Sequence, residues 1–338
     1  MTSLSTGPLL QVDNLCIDVA VVATKKTVPA VRNVSFQVDA GEAVGLVGES
    51  GSGKSLTLRA LMGILPAGVR ATSGRVLFEG VDLLTAPKKT LRAIRGTGIT
   101  MIFQEPMTSL NPIAKVGEQM IDAARAKHHW TRREAKAQSL RLARQMGIAD
   151  PDNTLSLYPH ELSGGLRQRV MIAAALACQP KLILCDEPTT ALDVTIQAQI
   201  IRLLAQLKDE LGMSMLYVTH DLAVVAQLCQ RLEVMYAGSL VESGLVADIF
   251  RQPDHPYTQG LADATPDVDA VVDKLRGIRG NAPTPGNWPD GCAFHPRCDY
   301  ATDECRTGTF PLRDLGDGRR SACIHIDRLH ELKVSEGT

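Results

Sequence analysis

The stretch Gly48-Glu49-Ser50-Gly51-Ser52-Gly53-Lys54-Ser55 decides the fold, because its spacing is G-x-x-x-x-G-K-[ST], the phosphate-binding P-loop. Its glycines allow the tight turns with positive φ that bring a backbone close to a bound phosphate. Successive N–H groups then face the anion at the start of a helix, whose positive end also attracts phosphate. The apolar run Ala43–Val47 predicts a buried parallel strand before the loop, and residues 56–65 predict a helix after it.

Two side chains of this motif have defined roles toward a nucleoside triphosphate. Lys54 is expected to reach the β- and γ-phosphates, and the Ser55 hydroxyl is expected to ligate Mg²⁺. The candidate nucleotide contacts in and just after the loop are Gly48, Ser50, Gly51, Gly53, Lys54, Ser55 and Thr57. The sequence therefore predicts an α/β fold that binds a nucleoside triphosphate at this loop.

A second motif, Leu182-Ile183-Leu184-Cys185-Asp186-Glu187, has four apolar residues followed by two acids, which is the Walker B pattern. A carboxylate at the tip of a buried strand beside a P-loop holds Mg²⁺ directly or through water, and Asp186 is assigned this role. The next carboxylate, Glu187, is placed to polarise an attacking water as general base. Together the two motifs predict hydrolysis of the bound nucleotide.

The composition excludes several other classes of protein. The chain has 338 residues, 44% of them hydrophobic, which is enough for one large core plus an extension. Its formal net charge of −1 argues against a nucleic-acid-binding protein, which usually has a basic face. The longest clean apolar run, residues 170–178, is shorter than the roughly 20 residues that cross a bilayer. No Lys or Arg precedes Lys25, so no signal peptide is expected.

The chain around the two motifs alternates strands and helices, with one interruption. Residues 9–19 and 30–38 read as strands joined by a turn, which predicts an N-terminal antiparallel β subdomain. Residues 116–127 and 132–146 have helical periodicity and abundant Ala, Arg and Gln. We therefore expect a helical subdomain at about residues 106–165.

The C-terminal part of the chain changes in character. Pro and Gly become frequent between Pro253 and Gly291, which is typical of a linker-like region. The predicted organisation is a nucleotide-binding domain at residues 1–250 and a small, irregular, cysteine-containing extension at residues 251–338.

Further motifs lie in a recognisable order along the chain. The stretch Leu162-Ser163-Gly164-Gly165-Leu166-Arg167-Gln168-Arg169 resembles the signature motif of the ATP-binding cassette (ABC) family. Gln104 resembles the family's Q-loop glutamine, Ala191-Leu192-Asp193 its D-loop, and His220 its switch histidine. The resemblance covers residues from about 10 to 260. It implies a P-loop NTPase (RecA-like) ABC ATPase domain with helical and antiparallel β subdomains.

The resemblance implies roles for these residues. Ser163, Gly164 and Gly165 would form a second anion clamp at a helix N-terminus, which in the family closes on the γ-phosphate held by a partner subunit's P-loop. ATP then holds two such domains together, and hydrolysis releases them. His220 would contact the γ-phosphate and position the water, and Asp193 would join the nucleotide contacts. The implied catalytic residues are Glu187, His220 and Gln104, and the implied Mg²⁺ ligands are Ser55, Gln104 and Asp186.

Three segments narrow the resemblance to peptide and nickel importer ATPases. They are Phe103-Gln104-Glu105-Pro106-Met107-Thr108-Ser109-Leu110-Asn111-Pro112, residues 186–200, and His255-Pro256-Tyr257-Thr258. The resemblance implies an ATPase subunit of an importer for di- or oligopeptides or a related small solute. A nickel or metal-chelate (opine-like) importer is the alternative.

In that group the ATPase often forms a heterodimer with a homologous ATPase. The pair couples to two membrane-spanning permease subunits and, indirectly, to an extracytoplasmic solute-binding protein. The expected location is therefore peripheral, at the cytoplasmic face of the inner membrane. A different class, the soluble ABC ATPases that remodel nucleic acid or ribosomes, typically fuses two cassettes, whereas this chain has one cassette and no basic face.

Half of the eight cysteines lie after residue 290. Cys292, Cys298, Cys305 and Cys323 have the spacing C-x₅-C-x₆-C-x₁₇-C, which is looser than common zinc knuckles and ferredoxin runs. From the residues alone, an iron–sulfur cluster, zinc, and unligated or disulfide-bonded thiols stay open. The tail resembles that of dipeptide-importer ATPases, where a similar arrangement is linked to a [4Fe–4S] cluster. The resemblance therefore implies an iron–sulfur cluster here, with Zn²⁺ as the alternative.

Overall fold

The chain forms two compact units in a computed structural model. The structure describes residues 7–21, 25–105, 109–189, 193–265 and 277–336. The first unit comprises Met1–Val38, Ala43–Leu84 and Val218–Thr338, and the second comprises Asp39–Glu42 and Thr85–Tyr217. The division between domains at residue 250 stays a prediction.

The strands and helices follow one another along the chain much as the sequence predicts. The strands are β1 Leu10–Val21, β2 Lys26–Val38, β3 Ala43–Val47, β4 Val69–Phe78, β5 Val81–Asp82, β6 Ile99–Ile102, β7 Leu182–Asp186, β8 Ser214–Thr219, β9 Arg231–Tyr236, β10 Ser239–Leu245, β11 Arg313–Gly316 and β12 Arg319–Ser321. The helices are α1 Lys54–Leu61, α2 Lys88–Ile94, α3 Val116–His128, α4 Arg132–Gln145, α5 Pro151–Thr154, α6 Gly164–Leu176, α7 Val194–Leu211, α8 Leu222–Leu228, α9 Val246–Arg251, α10 Pro256–Asp263 and α11 Ile326–Glu336.

The first unit contains the predicted antiparallel β subdomain. Its strand order is β2-β1-β4-β5, and Leu10 pairs with Val38 on one side and with Phe78 on the other. The register of β1 shifts on both sides between residues 12 and 18, so that its apolar side chains stay on the buried face. The expectation of this subdomain is confirmed.

The P-loop follows strand β3, which belongs to a second sheet in the first unit. Strand β3 is completely buried and pairs in parallel with β9, Val44 opposite Arg231 and Val47 opposite Val234. A parallel strand covered on both faces is expected to be a continuous apolar run, as Ala43–Val47 is. Beyond β9 the order continues through β10 and β12 to β11. The C-terminal tail is therefore partly built into this sheet, through strands too short and polar to stand out in the sequence.

The second unit contains the Walker B strand and the predicted helices. Strand β7 pairs in parallel with β6, Ile99 opposite Leu182 and Ile102 opposite Cys185. Helix α3 buries Met120, Ile121 and Ala124 on one face, and α4 packs beside it. Helix α4 begins with a capping box between Thr131 and Glu134. The expected helical subdomain is confirmed.

Within the residues that the structure describes, no helix combines the length and the apolar character needed to cross a bilayer.

Candidate nucleotide site

The P-loop joins the carboxyl end of β3 to the start of α1, and two of its glycines are required by the backbone. Gly48 has φ +155°, and a Cβ at this position would lie 2.1 Å from the carbonyl oxygen of Met235. Gly53 has φ +103°, and its Cβ would lie 3.0 Å from the carbonyl oxygen of Ala30. Any side chain would therefore push the loop off β9 and β2. This close packing and the positive φ angles are typical of a loop whose amides bind a phosphate.

Lys54 lies across this loop. Its side chain is buried, and Nζ donates hydrogen bonds to the carbonyl oxygens of Gly48 (2.6 Å) and Glu49 (2.9 Å). The ammonium group is thus held against the loop, and a phosphate oxygen there could accept a charge-assisted hydrogen bond from it. This geometry agrees with the phosphate-binding role that the sequence predicts.

The remaining loop residues differ in accessibility. Ser50 and Gly51 are exposed at the tip of the loop, and Ser55 is half-buried at the start of α1. Thr57 is completely buried, and its hydroxyl donates to the carbonyl oxygen of Gly53 (3.1 Å). Its hydroxyl therefore stabilises the first turn of α1, a role the sequence motif does not reveal.

The Walker B acids lie at the end of β7 in the second unit. Asp186 is the last residue of this strand and is buried, whereas Glu187 is half-buried. The backbone of Glu187 has φ +44°, in the left-handed region that non-glycine residues rarely adopt. Such strain persists where the surroundings impose it, and it is common at active sites. Asn14, Glu79 and Ala237 have the same kind of backbone conformation, so the catalytic role of Glu187 stays a prediction.

The predicted signature residues lie at an open helix N-terminus. Ser163 is the N-cap of α6, and its Oγ accepts a hydrogen bond from the N–H of Leu166 (3.4 Å). Ser163 and Gly164 are exposed, and a Cβ at Gly164 would meet no atom within 4 Å. The end of a 13-residue helix is therefore accessible to an anion from outside. That it clamps a partner's nucleotide stays a prediction.

The other predicted site residues follow strand ends or begin helices. Gln104 is exposed after β6, and His220 is exposed directly after β8. Asp193 is the N-cap of α7, where its carboxylate accepts from the N–H of Ile196 (2.9 Å). Residues 190–192, which include Ala191 and Leu192 of the predicted D-loop, lie outside the described residues, as do residues 106–108 after the Q-loop glutamine.

The predicted site residues divide between the two units. The P-loop residues and His220 belong to the first unit. Gln104, the Walker B acids, the signature residues and Asp193 belong to the second.

Two residues of the C-terminal part contact the P-loop, and sequence reasoning missed both. The N–H of Glu49 donates to the hydroxyl of Tyr257 (2.7 Å). The guanidinium of Arg297 donates to both carboxylate oxygens of Glu49, at 2.8 and 3.0 Å. Tyr257 lies in the segment that resembles the importer tail, which was the only available signal. No pattern pairs Glu49 with Arg297, which lies 248 positions away.

The predicted iron–sulfur cluster is wrong. Among the residues that the structure describes, no group of three or more His, Cys, Asp or Glu side chains is arranged to hold a metal ion. The same finding removes the zinc alternative at this site. The cysteines concerned, all free thiols, are Cys292, Cys298, Cys305 and Cys323.

The four thiols share one apolar environment. Together with Phe294 and Phe310 they line an apolar cavity in the tail. Burial in this cavity raises the pKa of Cys298 to about 12 and that of Cys323 to about 11. The cavity therefore favours the protonated thiols over the thiolates. The sequence showed four cysteines but not the apolar side chains around them.

We expect Cys298 and Cys323 to react slowly with iodoacetamide in the folded protein. At pH 8 a thiol of pKa 12 is about 10⁻⁴ ionised, against roughly a quarter for an ordinary cysteine. Because nucleophilicity rises with pKa, we expect alkylation to slow by at least about tenfold rather than by the full ratio. Peptide mass spectrometry at pH 8, with the reduced protein unfolded in urea as control, measures this. Equal rates in the folded and unfolded chains would contradict the assignment of raised pKa values.

Comparisons with known proteins agree with this geometry. Residues 31–190 match the family model described as ABC transporter, and residues 241–305 match the one described as oligopeptide/dipeptide transporter, C-terminal region. The oligopeptide transport ATP-binding protein AppD of Bacillus subtilis (strain 168) is 45% identical over 317 residues, covering 94% of this chain and 96% of AppD. The dipeptide transport ATP-binding protein DppD of Escherichia coli (strain K12) is 47% identical over 294 residues, covering 87% of this chain and 90% of DppD.

Solved structures give the same result. The dimeric structure of a post-hydrolysis state of the ATP-binding cassette MJ0796, bound to ADP and Pi, superposes with a TM-score of 0.63 at 27% identity. It covers 70% of this chain and 98% of that chain. CbiO1 of Clostridium perfringens, part of the ABC transporter complex cbiONQ, gives a TM-score of 0.60 at 27% identity, with 72% of this chain and 91% of that chain covered.

Proposed function

The chain belongs to the ABC transporter family as an ATP-binding and ATP-hydrolysing subunit, and from this premise we propose that it powers the import of di- and oligopeptides. The observation that carries the proposal is the match of residues 241–305 to the C-terminal region of oligopeptide/dipeptide transporters. Relatives named for dipeptide and oligopeptide transport support it over nickel or metal-chelate import.

The family defines the general partners of the chain, which are membrane-spanning permeases and a second ATPase subunit. In the proposed transporter, this chain pairs with a homologous ATPase beneath two permease subunits, and an extracytoplasmic binding protein delivers the peptide. The ATPase pair lies at the cytoplasmic face of the inner membrane. The exposed N-terminus of α6 supports this arrangement, because its N–H groups are accessible to a nucleotide held by another subunit.

The proposed hydrolysis uses residues from several segments. Lys54 and the loop amides would hold the phosphates, and Ser55, Asp186 and Gln104 are the residues that would hold Mg²⁺. When bound, Mg²⁺ neutralises charge on the phosphate oxygens. Glu187 accepts a proton from the water that attacks the γ-phosphorus, while His220 orients the γ-phosphate; the bond to the leaving ADP then breaks. Ser163, Gly164 and Gly165 of this chain would complete the anion site around the nucleotide that the partner holds, and Asp193 would lie near that site.

Deletion of the gene in its host tests the proposed solute. Uptake of labelled dialanine or tetra-alanine is expected to fall to background, because the transporter would lack one of the two ATPase subunits that must close together on ATP. The wild-type gene should restore uptake, whereas a gene carrying Lys54→Ala should not. Uptake of ⁶³Ni²⁺, measured in the same cells, serves as control. Loss of nickel uptake with both peptides unaffected would overturn the proposal.

A further inference from the structure

Glu49, the second residue of the P-loop, is held through its backbone and its side chain. Its N–H donates to Tyr257 (2.7 Å), and its carbonyl oxygen accepts from Lys54 (2.9 Å). Its carboxylate receives the bidentate hydrogen bond of Arg297. The N–H of Glu49 is therefore engaged within the protein rather than directed at a ligand.

Arg297 is itself held rigidly. It lies in the short 3₁₀ helix His295–Arg297, and its side chain is only 8% exposed although it carries a charge. Nη1 also donates to the hydroxyl of Tyr236 (3.2 Å), and Nε donates to the carbonyl oxygen of Arg279 (2.7 Å). A guanidinium with several donors engaged has one orientation, which a flexible ammonium does not reproduce.

The residues beneath this contact form a packed aromatic cluster of Tyr236, Tyr257 and Phe294. The ring centroids of Tyr236 and Tyr257 are 4.6 Å apart, and those of Tyr236 and Phe294 are 5.3 Å apart. All three side chains are almost completely buried. The Tyr257 hydroxyl and the Arg297 guanidinium, which hold Glu49, are therefore positioned by a cluster that aromatic packing stabilises.

We propose that Arg297 and Tyr257 are positioning residues of the nucleotide site, which set the conformation of the P-loop through Glu49 before ATP binds. A glycine-rich loop loses much conformational entropy when it closes on a ligand. A loop that the C-terminal segment already orders loses less, so preorganisation increases affinity. The inference concerns the ATP site, and it rests on the proposed ATPase function but not on the transported solute.

Equilibrium binding of Mg²⁺–ATP to the purified full-length chain tests this role. Arg297→Gln is expected to raise Kd, and KM where turnover is measured, by about tenfold, or roughly 1.4 kcal/mol. Arg297→Lys should give an intermediate Kd, since lysine keeps the positive charge but cannot make the bidentate hydrogen bond to Glu49. Tyr257→Phe should also weaken ATP binding, because it keeps the ring and loses the hydroxyl. The value of kcat should change little, since the contact acts on ATP binding rather than on the transition state.

The control is Arg279→Gln, an exposed arginine of the same segment whose backbone carbonyl, not its side chain, contacts Arg297. Its Kd should equal that of the wild type. Thermal unfolding of every variant shows whether the fold is intact. In a double-mutant cycle, Glu49→Gln and Arg297→Gln should be strongly non-additive. An unchanged Kd in Arg297→Gln, or additive effects in the cycle, would overturn the inference while leaving peptide import unaffected.

Discussion

Replacing Glu187 with Gln is expected to lower ATP turnover by about 10²- to 10⁴-fold while ATP binding persists. The amide keeps the size of the carboxylate but cannot accept the proton of the attacking water. The backbone of Glu187 is held at φ +44°, so the side chain at this position has a defined direction that glutamine should retain. ATP bound without hydrolysis should therefore accumulate in a closed pair of ATPase subunits.

Single-turnover hydrolysis and size-exclusion chromatography in Mg²⁺–ATP measure both parts of this expectation. In the presence of ATP the variant should elute as a dimer. In the absence of ATP it should elute at the same volume as the wild type. Glu210→Gln, an exposed substitution on α7, is the matched control and should hydrolyse ATP normally. Near-normal hydrolysis by Glu187→Gln would show that another group is the general base.

Replacing Lys54 with Ala is expected to weaken Mg²⁺–ATP binding by about 10- to 100-fold, the loss of a hydrogen bond to a charged group. The substitution has a second effect in this structure, because Lys54 also ties together the carbonyl oxygens of Gly48 and Glu49. Without Lys54 the loop loses its positive charge and the two hydrogen bonds that fix these carbonyl groups. Transport should then fall because ATP binds weakly, whereas Glu187→Gln should bind ATP and fail to hydrolyse it.

Equilibrium binding with a fluorescent ATP analogue measures the affinity, and thermal unfolding shows whether the variant folds. Lys88→Ala, which removes an exposed lysine of α2, is the control for general loss of charge. A folded Lys54→Ala chain that binds ATP with wild-type affinity would contradict the phosphate-binding role of Lys54.

The sequence predicted most of the fold because local motifs encode it. The apolar run Ala43–Val47 became the buried strand β3, and Ser163 became a helix N-cap as its motif implied. A buried strand and a helix N-cap are both determined by residues close together in the sequence, so a local pattern is enough to predict them. The order of the motifs along the chain was sufficient to identify the ABC family.

The tail shows where this reasoning fails. Resemblance carried over the positions of four cysteines, and from them a metal cluster was predicted. The protonation of a thiol and its placement relative to other ligands depend on what packs around it, and here burial raises the pKa of Cys298 and Cys323. A spacing pattern does not contain that information.

The sequence alone determined the α/β architecture, the P-loop, the Walker B acids and the ATPase activity that follows from the family. Only the tertiary structure revealed the inward hydroxyl of Thr57, the strained backbone of Glu187, and the bidentate contact of Arg297 with Glu49. The physical reason is range. Phosphate-binding geometry is encoded by consecutive residues, whereas burial, strain and an ion pair across 248 positions arise only when distant segments pack together.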